Sequence, residues 1–315
     1  MTVKKLNIKK LGIAVGIILL IILLVAFSIK KYVDDKKEKA TYEYKFSQLG
    51  YTSDDVSVFK EILTDEQLNV LLQKEYDESY VDFIESEYFD FDKLDRYISY
   101  SSDNKDADVS KVIAVVNVGA DKDWYEEVVE TDTSKGNLML VNKFNGLTAD
   151  YEPELVLVSS TYAYANKYVS TSIYDDLIGL LEAARASGFT LVVSQGYRSY
   201  ADQEETYNNY KSSYSTSEAD EFVARPGHSE YQTGLGVDIE PYNKKVEDVS
   251  QSPEHKWIVS NAYKYGFILR YEEGKEDITG FDSNNWRFRY VGRNAALQMH
   301  DKDLTFDEYY EYYVK

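Results

Sequence analysis

The sequence contains no cysteine, which excludes disulfide bonds and thiolate metal sites. An oxidising compartment is neither required nor ruled out by that. Histidine is scarce, with only His228, His255 and His300 in the chain. Basic residues are few beside acids: 35 Lys and Arg against 55 Asp and Glu give a formal net charge of −20. A nucleic acid or an anionic membrane surface needs clustered Lys and Arg, so neither is expected as a partner. Solubility is a sufficient reason for the acidity. No internal repeat is visible.

Tyrosine is abundant instead, with 30 in the chain. Its amphipathic ring suits wet clefts and half-buried sheets alike, so it carries no functional conclusion. At 315 residues and 43% hydrophobic content, the chain has room for a membrane anchor and one well-buried domain, with some chain to spare. Lys4, Lys5, Lys9 and Lys10 come first, with no acid among them. From Leu11 to Ile29 only Ser28 and the small Gly12 and Gly16 interrupt an apolar run, which predicts a transmembrane helix over 11–29. A cleaved signal peptide is the competing reading, but the run is long for a signal core and no clear small-x-small site follows Phe27. An uncleaved anchor is the expectation.

Residues 30–104 read as a stalk and a helical module. Tyr32 to Ala40 is the charged stalk. Thr52-Ser53-Asp54-Asp55 and Thr64-Asp65-Glu66 are helix starts, polar caps with acids in the first turn. Val58, Phe59 and Ile62, then Leu68, Val70, Leu71 and Leu72, follow at helical spacing, and a third pattern runs from Tyr80 to Tyr100. Such faces pack on a neighbouring domain or serve a protein partner. Ser101 to Asp108 is a polar boundary loop. Val112 to Val118 reads as a buried strand. Tyr174 to Ser187 is a helix stopped by Gly188, Thr190 to Val193 a strand, and the residues through Gln203 and Tyr207 a helix. Tyr263 to Tyr271 reads as a helix with a glycine stop and then a strand. Trp286 to Gly292 and a closing helix end the chain.

The chemistry sits in a few blocks. Pro226-Gly227-His228-Ser229-Glu230-Tyr231-Gln232-Thr233-Gly234-Leu235 leads into Val237-Asp238-Ile239, and residues 284–290 read Asn-Asn-Trp-Arg-Phe-Arg-Tyr. Together with Gly196-Tyr197-Arg198-Ser199, Gln203 and the run Leu138-Met139-Leu140-Val141-Asn142, they resemble the VanY-type D-alanyl-D-alanine carboxypeptidases in collinear order over roughly residues 105 to 315. The resemblance implies an α+β fold: a small, mainly antiparallel sheet with flanking helices and a cleft across it, preceded here by the transmembrane helix and the helical module. It implies a strand at Leu138–Asn142. It also tips the orientation toward a cytoplasmic N-terminus over 1–10 and a single-pass protein of the cell membrane with an extracytoplasmic C-terminal domain. Lys30, Lys31, Lys36, Lys37 and Lys39 after the span make that orientation less sharp.

In the resembled family a catalytic zinc is held by His, Asp and His, and a Glu is the general base. The resemblance puts Asp238 at the Asp ligand, Tyr231 and Arg287 at the two His positions, and Asn284 at the Glu. Each replacement defeats the chemistry for a physical reason. Tyrosine ionises only near about 10 and is a poor zinc ligand at neutral pH unless the metal ionises it. Arginine has no lone pair to give, and a guanidinium about 5 Å from a dication would cost on the order of 6 kcal/mol. Asparagine cannot take a proton from water. The self-consistent alternative is a bidentate Arg287–Asp238 pair in place of the metal, with Tyr231 and Asn284 completing the hydrogen bonds.

No cofactor is therefore expected; if zinc binds, Asp238 and His228 would be the ligands to look for. The substrate side is better kept. The resemblance implies that Arg198 holds a carbonyl or terminal carboxylate, with Tyr197, Gln203, Ser194 and Ser229 as further contacts. A buried partner for Asp or Glu is the alternative role for Arg198. Gly234 and Gly236 flank Leu235 and predict close backbone approach near the cleft floor. The function these residues support is a metal-free pseudopeptidase that binds peptidoglycan stem peptides ending in D-Ala-D-Ala, or regulates a wall-enzyme partner. An active zinc D-Ala-D-Ala carboxypeptidase with a rearranged ligand set, and a structural interaction protein with a silent cleft, are the alternatives. Whether the chain is an enzyme stays open.

Overall fold

The computed structural model describes residues 8–242 and 250–315, and within the first helix the side chains of 16, 22–34 and 36–38. The chain divides into two compact units, Met1–Ile98 and Ser99–Lys315.

The first unit is helical: α1 (Ile8–Glu38), α2 (Tyr42–Leu49), α3 (Ser53–Ile62), α4 (Asp65–Leu71) and α5 (Ser79–Glu85), with α6 (Leu94–Asp103) leading into the second unit. Thr52 and Thr64 start α3 and α4 with capping boxes closed by Asp55 and Gln67, so the backbone donors that a helix leaves unpaired find side-chain acceptors. The buried rings of Phe46, Tyr51 and Phe59 meet behind them, with Tyr51 and Phe59 edge to face at 5.1 Å.

The spanning helix expected over 11–29, and the single-pass membrane location expected with it, are corrected. Among the described residues, no helix is long and apolar enough to cross a membrane. A span takes about 20 consecutive apolar residues. Lys4 and Lys5 lie outside the described residues.

The second unit is α+β. Its helices are α7 (Val109–Val118), α8 (Tyr174–Ala186), α9 (Tyr200–Lys211), α10 (Thr216–Phe222), α11 (Pro253–Val259), α12 (Glu276–Thr279), α13 (Arg293–Lys302) and α14 (Phe306–Tyr313). Short strands β1 (Val129–Glu130) and β2 (Asn145–Gly146) pair with each other, as do β3 (Leu155–Leu157) and β4 (Tyr168–Ser170). The main sheet holds β5 (Leu191–Gln195), β6 (Gly236–Pro241), β7 (Phe267–Tyr271) and β8 (Asn284–Tyr290) in the order β5-β6-β8-β7, every pair antiparallel.

Strand alternation gives this sheet two different faces. Val193, Val237, Ile239, Phe288 and Tyr290 point to one side and join the core with Leu177, Leu180, Leu181 and Ala184 of α8. Those α8 residues repeat at three- and four-residue spacing, and each fully buried Leu or Val contributes about 1.5–3 kcal/mol. The residues between them in sequence, Asp238 on β6 and Arg287 and Arg289 on β8, share the opposite face.

Two local expectations are overturned. Val112–Val118 is not a strand but most of α7, capped by the Asp108 side chain and stopped at Gly119 in the left-handed region. Leu138–Asn142 belongs to no strand, although Met139 to Asn142 are buried. Side chains satisfy its carbonyls instead: Arg289 donates to Met139 O at 2.8 Å and Thr131 to Leu140 O at 2.9 Å.

Candidate functional site

Asp238 and Arg287 are register partners across β6 and β8. Directly opposed residues on one sheet face bring their side chains together. Arg287 Nε donates to Asp238 Oδ1 at 3.1 Å. The other carboxylate oxygen, Oδ2, accepts from the Tyr231 hydroxyl at 2.6 Å. The pair is one-pronged, not the bidentate fork expected, because Arg287 approaches through Nε and leaves its two terminal nitrogens without a partner among the described residues.

Tyr231 reaches Asp238 because of the turn that carries it. Ser229 caps a short 3-10 helix, Glu230–Thr233, which Gly234 closes at a φ of 68°. A side chain at Gly234 would meet the Ser170 backbone nitrogen at 2.9 Å, so the predicted close approach is present. Burial pushes the Tyr231 hydroxyl well above its usual range, against the pull of the Arg287 charge. It therefore keeps its proton and donates it to Asp238.

A cavity of about 210 Å³ opens on this face. Arg198, Gln203, Ser229, Tyr231, Asp238 and Arg287 all line it. Arg198 follows β5 and leans over Tyr231, its guanidinium carbon 4.8 Å from the ring centre; that of Arg287 lies 4.5 Å from the same ring. Arg198 donates to Gln203 Oε1 at 3.1 Å, and Gln203 is held in turn by its bond to Ala224 O at 2.7 Å. Arg198 has no acidic partner among the described residues.

Other expected residues stand apart. Asn284 does not complete the Arg287–Asp238 pair: its Oδ1 accepts from the backbone nitrogens of Trp286 and Arg287 at 3.3 and 3.1 Å. Ser194 bonds the Asp238 carbonyl at 3.4 Å and, like Tyr197, is not part of the cavity lining. His228 turns to the distant segment before β2, with Nδ1 2.7 Å from Asn142 O and its ring against Tyr125. Burial lowers its pKa, so the neutral ring donates to that carbonyl.

The residues at this site do not fit a zinc ion. Catalytic zinc needs three protein ligands and an open position. Here both Asp238 oxygens are taken by donors, Arg287 is a permanent cation, and Tyr231 holds its proton. Among the described residues, no group of three His, Cys, Asp or Glu is placed to hold a metal.

Beneath the cavity lies a charge network that the sequence reading missed. Glu230 accepts from Arg270 Nε at 2.6 Å and also pairs with Arg289. Arg270 continues to Asp307 at 2.7 Å, and Asn142 donates to the same carboxylate at 2.7 Å. All four charges are fully buried and sum to zero. The available signal was period two: Arg289 sits two residues from Arg287, hence on the same face.

The comparisons with known proteins agree with this architecture. The sequence model of the VanY family, D-alanyl-D-alanine carboxypeptidase, matches residues 166–293. That span contains Arg198, Tyr231, Asp238 and Arg287. YodJ of Bacillus subtilis (strain 168), which carries a provisional carboxypeptidase name, is 39% identical over 192 residues, 58% of this chain and 70% of that one. A D-alanyl-D-alanine carboxypeptidase of Enterococcus faecalis (strain ATCC 700802 / V583) is 34% identical over 187 residues, 56% of this chain and 67% of that protein. The structure of the LdcB LD-carboxypeptidase, solved for its recognition of peptidoglycan, aligns at a TM-score of 0.56 and 37% identity, covering 59% of this chain and 91% of that one. The chain belongs to the VanY D-alanyl-D-alanine carboxypeptidase family.

Proposed function

We propose that the domain binds the peptide ends of peptidoglycan stem peptides, D-Ala-D-Ala termini among them, without hydrolysing them. The observation that carries this reading is the Arg287–Asp238 contact at 3.1 Å beside an Arg198 that has no acidic partner among the described residues. Hydrolysis of an amide needs an activated water and a base to take its proton. Asn284 cannot act as that base, and Arg287 repels a metal that could activate the water. Binding needs only placed donors, and Arg198, Gln203 and Ser229 supply them around the cavity. The peptidoglycan class rests on the family and on the relatives named above, one a D-alanyl-D-alanine carboxypeptidase and one an LD-carboxypeptidase with a described basis of peptidoglycan recognition. Such a domain can act by shielding peptide ends from wall enzymes or by regulating a partner that cuts them.

The test is calorimetric titration of the full chain with a stem pentapeptide ending in D-Ala-D-Ala, beside an assay for released D-alanine. Binding that Arg198→Ala abolishes, with no release, is the expected result. Release of D-alanine, or affinity unchanged in Arg198→Ala, would remove the reading.

A further inference from the structure

Behind one wall of the cavity lies a buried amine with no acceptor. Lys143 is 2% exposed, and its amine makes no hydrogen bond or ion pair among the described residues. What faces it is aromatic: Phe281, Trp124 and Tyr125, with ring centres 4.6, 5.2 and 5.5 Å away. Asp220 attracts it from α10, but that carboxylate is already taken by Arg225 at 2.8 Å and by the Tyr207 hydroxyl at 2.8 Å. A buried charge without a partner lowers stability. Methionine, similar in length and wholly apolar, would fill the same box without that cost. The amine is therefore explained by what its charge does to the rings around it.

Phe281 is the ring that connects this box to the cleft. It lines the cavity together with Tyr271. The two rings meet at 5.2 Å, and the Arg287 guanidinium carbon lies 5.8 Å from the Tyr271 ring centre. The backbone is held on both sides of Phe281. Gly280 before it takes a φ of 73°, and a side chain there would meet the Trp124 ring at 2.9 Å. Asp282 after it donates its backbone N–H to Glu221 O at 3.1 Å. The direction of the ring is then left to what its face touches. We infer that Lys143 is a positioning residue for the cleft: its ammonium attracts the face of Phe281 and holds that ring as a wall of the peptide-binding cavity. Through Tyr271 the same contact supports Arg287. The inference rests on the peptide-binding reading above.

The amine can be switched off without a substitution, because burial holds its pKa down to about 8. The charged groups acting on it are Asp220, Glu221 and Arg225, from α10 and the residues after it, and Asp282 from the turn before β8. Beside it, burial pushes the Tyr125 hydroxyl up and keeps the His228 ring neutral. The experiment follows the full chain, labelled with 4-fluorophenylalanine, by fluorine NMR from about pH 6.5 to about pH 9.5. Phe281→Leu assigns the Phe281 signal, and calorimetry with an N-acetylated stem pentapeptide runs alongside. The Phe281 signal should shift with a midpoint of about 8. Peptide affinity should fall roughly 5- to 30-fold over the same range as the cation–π attraction is lost. Lys143→Met should show neither change and bind at the weak level throughout. Lys143→Arg, a cation at every pH used, should show neither change and bind at the tight level. A Phe281 signal that stays still in the native chain would overturn the inference, and that profile needs no variant to fold. Affinity that stays flat while the signal shifts, or that falls equally in Lys143→Met, would overturn it too. A shift present in the native chain and lost in Lys143→Met, with no peptide bound at any pH, would keep the hold of Lys143 on the ring and remove the peptide-binding reading.

Discussion

Asp238 and Arg287 stand opposite each other on neighbouring antiparallel strands, and one oxygen of the carboxylate accepts from the guanidinium Nε at 3.1 Å. With Asp238 10% and Arg287 22% exposed as side chains, the contact is screened less than a surface pair and more than a buried one. Removing Arg287 as Arg287→Met leaves a carboxylate with a single hydroxyl donor. The expected loss is about 1–3 kcal/mol, discounted from the buried-pair value for exposure. Denaturant unfolding of Arg287→Met, Asp238→Asn and the double variant checks this: the double variant should lose less than the sum of the two.

The buried network should be less forgiving. In Glu230→Ala, Arg270 keeps Asp307 but Arg289 loses its only acid among the described residues. A cost of about 3–5 kcal/mol is expected, seen as a large fall in the urea midpoint. A change under about 1 kcal/mol would mean the network does not hold the turn under Tyr231.

Lys143 gives a pH signature. It is 2% exposed, and its amine lies over the rings of Phe281, Trp124 and Tyr125 at 4.6, 5.2 and 5.5 Å. Burial pulls its pKa from 10.5 down to about 8. Between those values the unfolded chain holds the extra proton, so stability should rise as pH increases through this window. The opposite trend begins above about 10, where unfolded tyrosines ionise while buried ones such as Tyr51, pushed up to about 12, do not. Unfolding measured from pH 7.5 to 9.5 should show the rise in the native chain and not in Lys143→Met.

A zinc site should be possible to build on this face. Tyr231→His with Arg287→His places two imidazoles beside Asp238, and Asn284→Glu adds a carboxylate base. The triple variant is expected to take up zinc near one equivalent, and Arg287→His alone is not. Calorimetry with zinc, alongside elemental analysis, separates the two outcomes.

Much of the site was legible because strands fix geometry simply. The resemblance put Asp238 and Arg287 at one site, and their positions opposite each other on β6 and β8 bear that out. Asn284 was misjudged because, at a strand start, its short amide reaches its own backbone before it reaches across the sheet. Val112–Val118 was misread for a different reason. The segment is buried on nearly every side, so neither helical nor strand periodicity survives, and its β-branched content favours strand. The caps at Asp108 and Gly119 were the better signal. The Glu230 network depends on Arg270, Arg289 and Asp307, which come from separate parts of the chain, and no local pattern joins them.

The central claim is that Arg287 occupies the metal position and that the cleft holds a peptide without cutting it. Its most direct test is one sample: the full chain, excess zinc and a stem pentapeptide ending in D-Ala-D-Ala, with bound metal and released D-alanine both measured. The account predicts zinc well below one equivalent and no D-alanine above the protein-free blank. Near-stoichiometric zinc with D-alanine release, both lost in Asp238→Ala, would contradict it.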